Sequence, residues 1–224
     1  VSSSNKGEFI ENLMNTYKEA VRDERNIQPL SDDYIKFIRF GHDRIERTGS
    51  GIIAMITNHI YLNGLIHRGM RKELQHSFDE IFIVNLHGNS VIREMTPNGG
   101  IDENVFDIRQ GVAISFFVKH KNIKVTKEIS YTDLWGERDG KYKALFNFDI
   151  DSINWQNFES RSPNFFFVPK NFIFHDEFFN YQDINELFTF FSSGIKTHRD
   201  HFVVEFSKAS LISKLDEFQD NDLS

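Results

Sequence analysis

Ile52-Ile53-Ala54-Met55-Ile56-Thr57, read together with Glu80-Ile81-Phe82-Ile83-Val84-Asn85-Leu86, decides the fold. Neither run alternates. Continuous apolar runs of this length suit strands covered on both faces, as in a parallel sheet. Between them, Leu65 to Phe78 places Ile66, Met70, Leu74 and Phe78 four residues apart, the apolar stripe of an amphipathic helix. Upstream, Asp33 to Arg47 repeats that spacing with Tyr34, Phe37, Ile38, Gly41 and Ile45. Ser31 and Asp32 stand where side-chain oxygens can cap its first turn, and Thr48-Gly49-Ser50-Gly51 ends it. A helix–strand–helix–strand order with helical crossovers predicts two parallel strands in an α/β layered sheet.

Working outward, Gly111 to Val118 is a third strand. No helix-length segment separates it from the second, so antiparallel insertion is expected. The intervening polar stretch, His87 to Asp107, contains Pro97-Asn98-Gly99-Gly100. A loop of about twenty residues inside a compact domain is functional or mobile. Beyond Lys119 the periodicity weakens. Lys124–Tyr131 reads as an edge strand, Glu137–Phe146 as a short helix, Phe165–Val168 as a strand, and Asp183–Phe191 and Lys208–Phe218 as helices. The expected organisation is 1–120 as one mixed α/β sheet and 121–224 as a less regular α+β extension.

Composition narrows the function classes. The 224 residues carry 26 basic and 33 acidic side chains, a formal charge of −7, which argues against a dedicated nucleic-acid binder. Twenty-four Phe supply far more core-building surface than a disordered chain has. No run approaches the roughly 18 apolar residues of a membrane span. Zero Cys removes disulfide frameworks, thiolate metal sites and cysteine nucleophiles. Without a signal peptide, a cytoplasmic location is the default. Val1 in place of Met suggests a processed chain, or one cut from a larger protein.

Gly49-Ser50-Gly51 precedes a strand, so it fails the context of a phosphate-binding loop. The nine His show no zinc-helix spacing, and a Gly-x-Ser-x-Gly nucleophile elbow is absent. Asp32 and Asp33 suit a helix start, where carboxylates complement the dipole. Two places resist a purely structural reading. Thr57-Asn58-His59-Ile60-Tyr61 ends the first buried strand, where open α/β sheets bind ligands; it can equally be a capped strand-to-helix loop. Phe106 is a lone aromatic in the charged segment Asp102–Gly111, and it either tucks into the core or offers a stacking surface.

Several segments, in order, carry a resemblance: Ser31–Phe40, Ile56-Thr57-Asn58, His67–Arg71, Asn85-Leu86-His87-Gly88-Asn89, Asp102–Ile114, Asp133-Leu134-Trp135-Gly136, Phe165–Pro169 and Gly194–Val203. Together they resemble the adenine-specific DNA methyltransferase region of large single-chain restriction–modification enzymes, of the Type ISP and Type IIG kind. The likeness implies the C-terminal half of a Rossmann-like class I methyltransferase sheet, lying downstream of the family's Asn-Pro-Pro-Tyr motif. It implies methyl transfer from S-adenosylmethionine to adenine N6, with the cofactor loop and catalytic motif upstream and this stretch inactive alone. The partners implied are double-stranded DNA and the rest of the parent polypeptide, and no catalytic residue or metal ligand is expected here. An enzyme of this kind flips its target base out of the duplex and stacks it on aromatic surface. By resemblance, Phe106 is that surface, with Asn58 close to the same pocket. Arg68, Arg71, Arg109, Lys196, His198 and Arg199 are the residues expected to meet phosphates. A non-catalytic DNA-recognition or interdomain-coupling module of the same kind of enzyme is the alternative.

Overall fold

The structure, a computed structural model, describes residues 7–121, 128–188, 190, 198 and 204–221. It divides into two compact units, Val1–Asn171 and Phe172–Ser224.

The first unit opens with a helix absent from the sequence expectations, α1 (Glu8–Lys18), which buries Met14 and Tyr17. Its acidic first turn (Glu8, Glu11) and basic last turn (Lys18) suit the helix dipole. Helix α2 spans Asp33–Thr48; Asp32 is its N-cap residue and Gly49, at φ 80°, its left-handed C-cap. The Gly49 N–H closes the helix on the Ile45 carbonyl at 2.8 Å. Strand β1 (Gly51–Asn58), helix α3 (Arg68–Ser77), strand β2 (Glu80–His87) and strand β3 (Val112–Lys119) follow. Then come β4 (Ile129–Asp133), α4 (Arg138–Asn147) and β5 (Gln156–Phe158).

The strands form one sheet in the order β1-β3-β2-β4-β5. Strand β3 is antiparallel to both β1 and β2, so those two run in the same direction, with β3 inserted between them as expected. Strand β4 joins β2 in parallel and β5 closes on β4 in antiparallel pairing, so the sheet continues across residue 120. The expected edge strand is therefore internal; residues 124–127 of that segment lie outside the described residues.

Alternation along β2 sends side chains to two cores. Ile81 and Ile83 join Met14, Tyr17, Ile35, Ile38, Met70, Leu74 and Phe117 beneath α1, α2 and α3. Val84 and Leu86 join Val105 and Val112 on the other face, with Leu145 of α4 packed against them. Strand β2 is thus covered on both faces, as its sequence implies. Strand β1 is not: Ile53 and Thr57 are buried, but Ile52 and Ile56 are 65% and 52% exposed. The helices cover only one of its faces.

A second correction concerns Phe165–Val168, which forms no strand. Phe165 takes a left-handed conformation (φ 48°), and the Phe167 ring is wholly buried while its N–H reaches the Leu62 carbonyl at 2.8 Å. Core filling, rather than sheet pairing, accounts for its aromatic run.

The second unit contains α5 (His175–Asn180), α6 (Ile184–Leu187) and α7 (Lys208–Asn221). Helix α6 falls within the expected Asp183–Phe191 helix, of which residues 189 and 191 lie outside the described residues, while α7 covers the expected Lys208–Phe218. Among the described residues, no helix is long and apolar enough to cross a membrane.

Candidate functional site

The loop 88–111 leaves the carboxyl end of β2 through a bulge at Asn85/His87. His87 and Gly88 are both left-handed, at φ 54° and 77°. A Cβ on residue 88 would lie 2.4 Å from the Asn104 Cα, so only glycine lets the two ends of the loop approach this closely.

Both ends are then tied to the chain after β4. The Asp102 carboxylate accepts the Gly88 N–H at 2.6 Å and the Gly136 N–H at 2.8 Å. It also pairs with Lys141 of α4 at 2.8 Å, and both side chains are fully buried. The same ammonium donates to the carbonyls of Leu86 (2.7 Å) and Glu103 (2.6 Å), filling all three of its donors. Asn104 donates to the carbonyls of Gly88 (3.1 Å) and Gln110 (2.6 Å), and accepts the Phe106 N–H at 2.9 Å. Tyr142 donates its hydroxyl to the Val105 carbonyl. Arg138 reaches the carbonyls of Asn104 (2.7 Å) and Phe106 (3.1 Å) and the Asp107 carboxylate (2.7 Å). Val105 is buried, whereas the Phe106 ring is left 42% exposed. Phe106 lines an open cleft of about 380 Å³ with Gly88, Ser90, Asp107, Arg109 and Arg138. The backbone carrying the aromatic is held by α4, while its side chain makes up part of a cleft wall.

A second cleft, of about 430 Å³, opens where β1, β2 and β4 end; its lining includes His59, Asn85, His87, Glu94, Asp133 and Trp135. His59 Nδ1 lies 3.0 Å from Asn85 Oδ1, and Asn85 Nδ2 donates to the Tyr131 hydroxyl at 2.9 Å. That hydroxyl donates to Asp133 Oδ1 at 2.5 Å. His87 sits at the centre: Nδ1 is 2.9 Å from Glu94 and Nε2 is 2.6 Å from Asp133. Its ring stacks on Trp135 at 3.3 Å between centroids. Burial alone would lower the His87 pKa, but the hydrogen bonds to Asp133 and Glu94 outweigh it and hold the value above that of an ordinary histidine. For Glu94, burial acts upward, and the bonds to His87 and to the Asn89 N–H bring its pKa below the usual value. Burial, reinforced by Asp133, raises the Tyr131 phenol. Among the described residues, no cluster of three or more His, Asp or Glu is arranged to hold a metal.

Of the residues singled out in the sequence, Phe106 and Arg109 come together in one cleft. Asn58 does not line it; half-buried, its amide oxygen caps the short 3₁₀ turn after β1 by accepting the Ile60 N–H at 2.9 Å. Two residues expected at phosphates are placed otherwise. Arg71 is completely buried, its guanidinium bonded to the carbonyls of Tyr61, Gly64, Asn164 and Phe165, so it can meet no phosphate. Arg68 is committed to Glu24 at 2.7 Å and to the carbonyls of Ala20 and Leu65. A basic residue at a helix start reads the same in sequence whether it faces solvent or staples distant backbone. His198 is exposed in the second unit, and Lys196 and Arg199 lie outside the described residues. Lys141, Arg138 and His87 were missed. The His87-Gly88 pair ending a buried strand is the signal that could have found the last of them.

The fold is similar to that of DNA-bound restriction–modification enzymes. A part of the ATP-dependent Type ISP restriction–modification enzyme LlaBIII, bound to DNA, matches with a TM-score of 0.68 and 28% identity, over 93% of this chain and 14% of that one. The DrdV–DNA complex matches at 0.67 and 22% identity, over 93% of this chain and 21% of that one. A nuclease-deletion mutant of the Type ISP enzyme LlaGI, with a DNA substrate mimic, matches at 0.67 and 24%, over 93% and 20%. At 22% and 24% identity, these last two show the shared fold alone. The chain thus spans about a fifth or less of the proteins it matches. No protein-family model matches it, and no curated protein does.

Proposed function

We propose that this chain forms the target-base side of a restriction–modification DNA methyltransferase, and that Phe106 stacks on an adenine extruded from the duplex before its N6 is methylated. The observation that carries the reading is the state of Phe106: a half-exposed aromatic whose own amide, carbonyl and preceding backbone are all hydrogen-bonded. A core residue would be buried, whereas this ring is exposed on a segment whose backbone is held by side chains of α4. Stacking a flipped base needs a fixed ring open on one side, because extrusion costs a few kcal/mol that contacts must return. The sheet order, with an antiparallel strand between two parallel ones, supports the same reading, as does the likeness to DNA-bound enzymes.

Among the described residues, none forms a site that fits S-adenosylmethionine. Gly49-Ser50-Gly51 leads into β1 instead of leaving a strand, and the cleft at the strand ends is lined by polar side chains already bonded to one another. No step through the cofactor is therefore assigned here; its site and the catalytic motif belong to other parts of the parent polypeptide. Arg109, exposed beside Phe106, is the cation offered to a flanking phosphate, with Lys196, His198 and Arg199 as further phosphate contacts. Such contacts position the duplex without reading its sequence. A cation such as Arg109 in one cleft is compatible with a net charge of −7.

The test is Phe106→Ala in the enzyme that carries this region. Transfer of tritiated methyl groups to cognate DNA is expected to fall by roughly a hundredfold, with loss of the 2-aminopurine signal that reports an extruded base. Methylation near the wild-type rate would overturn the assignment.

A further inference from the structure

A buried histidine beside a carboxylate, at the carboxyl end of a parallel sheet, suggests a general base. The geometry of His87 excludes that role. A carboxylate can only accept, so a ring with Nδ1 at 2.9 Å from Glu94 and Nε2 at 2.6 Å from Asp133 has an acceptor at each nitrogen, and the doubly protonated imidazolium is the form that satisfies both. No lone pair remains to take a proton. What the two bonds join is informative. Asp133 ends β4, and Glu94 belongs to the loop that carries Phe106. Glu94 is itself woven into that loop: Oε2 accepts the Asn89 N–H at 3.0 Å, and its own N–H reaches the Asn89 carbonyl at 3.1 Å. The Ser90 N–H in turn meets the Arg109 carbonyl at 3.0 Å, next to the Phe106 segment.

We propose that His87 is a positioning residue, an imidazolium clamp that locks the loop 88–111 onto β4 and so sets Phe106 against the target base. The inference rests on the reading of Phe106 given above. Trp135, stacked on the ring, and the left-handed backbone at His87 fix its orientation. The groups facing it are Glu94 from the loop, Asp133 and Tyr131 from β4, and His59 after β1, edge-on at 6.2 Å. The cluster has one cation against two carboxylates, so loss of the His87 proton leaves both acceptors competing for one remaining N–H. The clamp is complete while the ring is protonated and opens as pH rises past its raised pKa.

Two measurements test this, and the first needs no enzymatic activity. In nitrogen–proton correlation spectra of the 224-residue chain, His87 should show both ring nitrogens protonated at pH 6.5, where an ordinary histidine is half neutral. A single neutral tautomer there overturns the clamp. In His87→Asn, which keeps a residue tolerant of left-handed backbone, the Asn89, Ser90 and Glu94 amides should exchange at least about tenfold faster than in wild type. Amides of β3 should be unchanged; Glu94→Gln, which keeps the shape but removes one charge, should fall between. Unchanged loop exchange in both variants also overturns the clamp. The second measurement is methyl transfer by the enzyme carrying this region. His87→Asn should lose roughly tenfold in rate at pH 7, and the gap from wild type should narrow as pH rises. If the loop loosens but the rate holds while Phe106→Ala abolishes it, His87 does not position Phe106. If Phe106→Ala itself has no effect, the stacking assignment falls and the functional half of the proposal with it, while the spectra still decide the clamp.

Discussion

Arg71 and Lys141 are both fully buried cations, packed on opposite faces of one sheet, and they solve the same problem differently. Arg71 bonds only to carbonyls and faces no carboxylate, so burial, with Arg68 nearby, pushes its guanidinium down to about 9. Lys141 pairs with Asp102 and shares its remaining donors between β2 and the loop. The neighbouring histidines follow suit. His67, close to Arg71, is lowered to about 4 by burial first and by that cation second. His87, between carboxylates, is raised. The α3 side is a scaffold stapled by dipoles, with its histidine kept neutral. The α4 side holds a loop through full charges, and His87, in the cleft at the strand ends, has its pKa raised by the carboxylates it bonds. Around the loop a buried ion pair does the holding, whereas around Arg71 only carbonyls do.

That contrast is broken most severely by Lys141→Met. It leaves Asp102 buried without its partner, a change that costs about 3–5 kcal/mol. The urea midpoint should drop accordingly, and loop amides should lose protection. A shift below about 1 kcal/mol would mean that Asp102 is satisfied by the two glycine N–H groups alone. Arg71→Met should cost somewhat less, about 2–4 kcal/mol, by orphaning carbonyls. It should leave exchange in the loop 88–111 unaltered, because that loop does not touch the staple. Equal loosening of the loop in both variants would erase the distinction between the two faces.

Acid sharpens the comparison. His42 and His67 are each lowered to about 4, His42 by burial first, which Glu46 opposes and Arg39 reinforces. The unfolded chain protonates these rings near 6.5 while the folded state does not until about 4, so the unfolded state binds more protons between those values. Stability is full above about pH 6.5 and falls toward pH 4, by up to about 3 kcal/mol per ring. His87 has the opposite sign: its contribution is present below about pH 6.5 and lost as pH climbs through its raised value. His67→Leu should flatten part of the acid slope in urea melts between pH 7 and 4.5 and leave the alkaline limb untouched. An unchanged acid slope would show that His67 protonates in the folded state as readily as in the unfolded one.

How much of this was legible in the sequence follows from which interactions are periodic. The helices α2 and α3, strands β1 to β3 and the inserted antiparallel pairing could be read because burial imposes a period on apolar residues. Helix α1 was equally legible, for Ile10, Leu13, Met14 and Tyr17 stand at the same helical spacing, although the expectations above leave it out. The exposed outer face of β1 was hidden: Ile52 and Ile56 are apolar whether or not a helix covers them. Phe106 stood out as an aromatic among charges. Its supports did not, because the contacts from Arg138, Lys141 and Tyr142 reach 31 to 55 residues back along the chain and land mostly on backbone atoms, which every residue has. Arg71 misled for the same reason, its partners being carbonyls more than 90 residues away as well as near ones.

The smallest effect on stability, and the sharpest separation of holding from presenting, is expected at Arg138. Its guanidinium is exposed, and hydrogen bonding to Asp107 raises its pKa, yet it spans the Asn104 and Phe106 carbonyls on either side of the buried Val105. Arg138→Ala should leave the urea midpoint where it is, because an exposed ion pair contributes little. Methyl transfer should nevertheless fall, roughly tenfold or more, since a small misplacement of a contact group is costly in rate even when folding does not register it. Arg138→Lys should restore only part of the rate, as an ammonium cannot span two carbonyls and a carboxylate with a planar fork. If Arg138→Ala lowers the midpoint as Lys141→Met does, the arginine is one more staple. If neither rate nor midpoint moves, Lys141 and Tyr142 suffice to set the ring. Only a loss of rate at constant stability shows that α4 aims Phe106 as well as anchoring the loop beneath it.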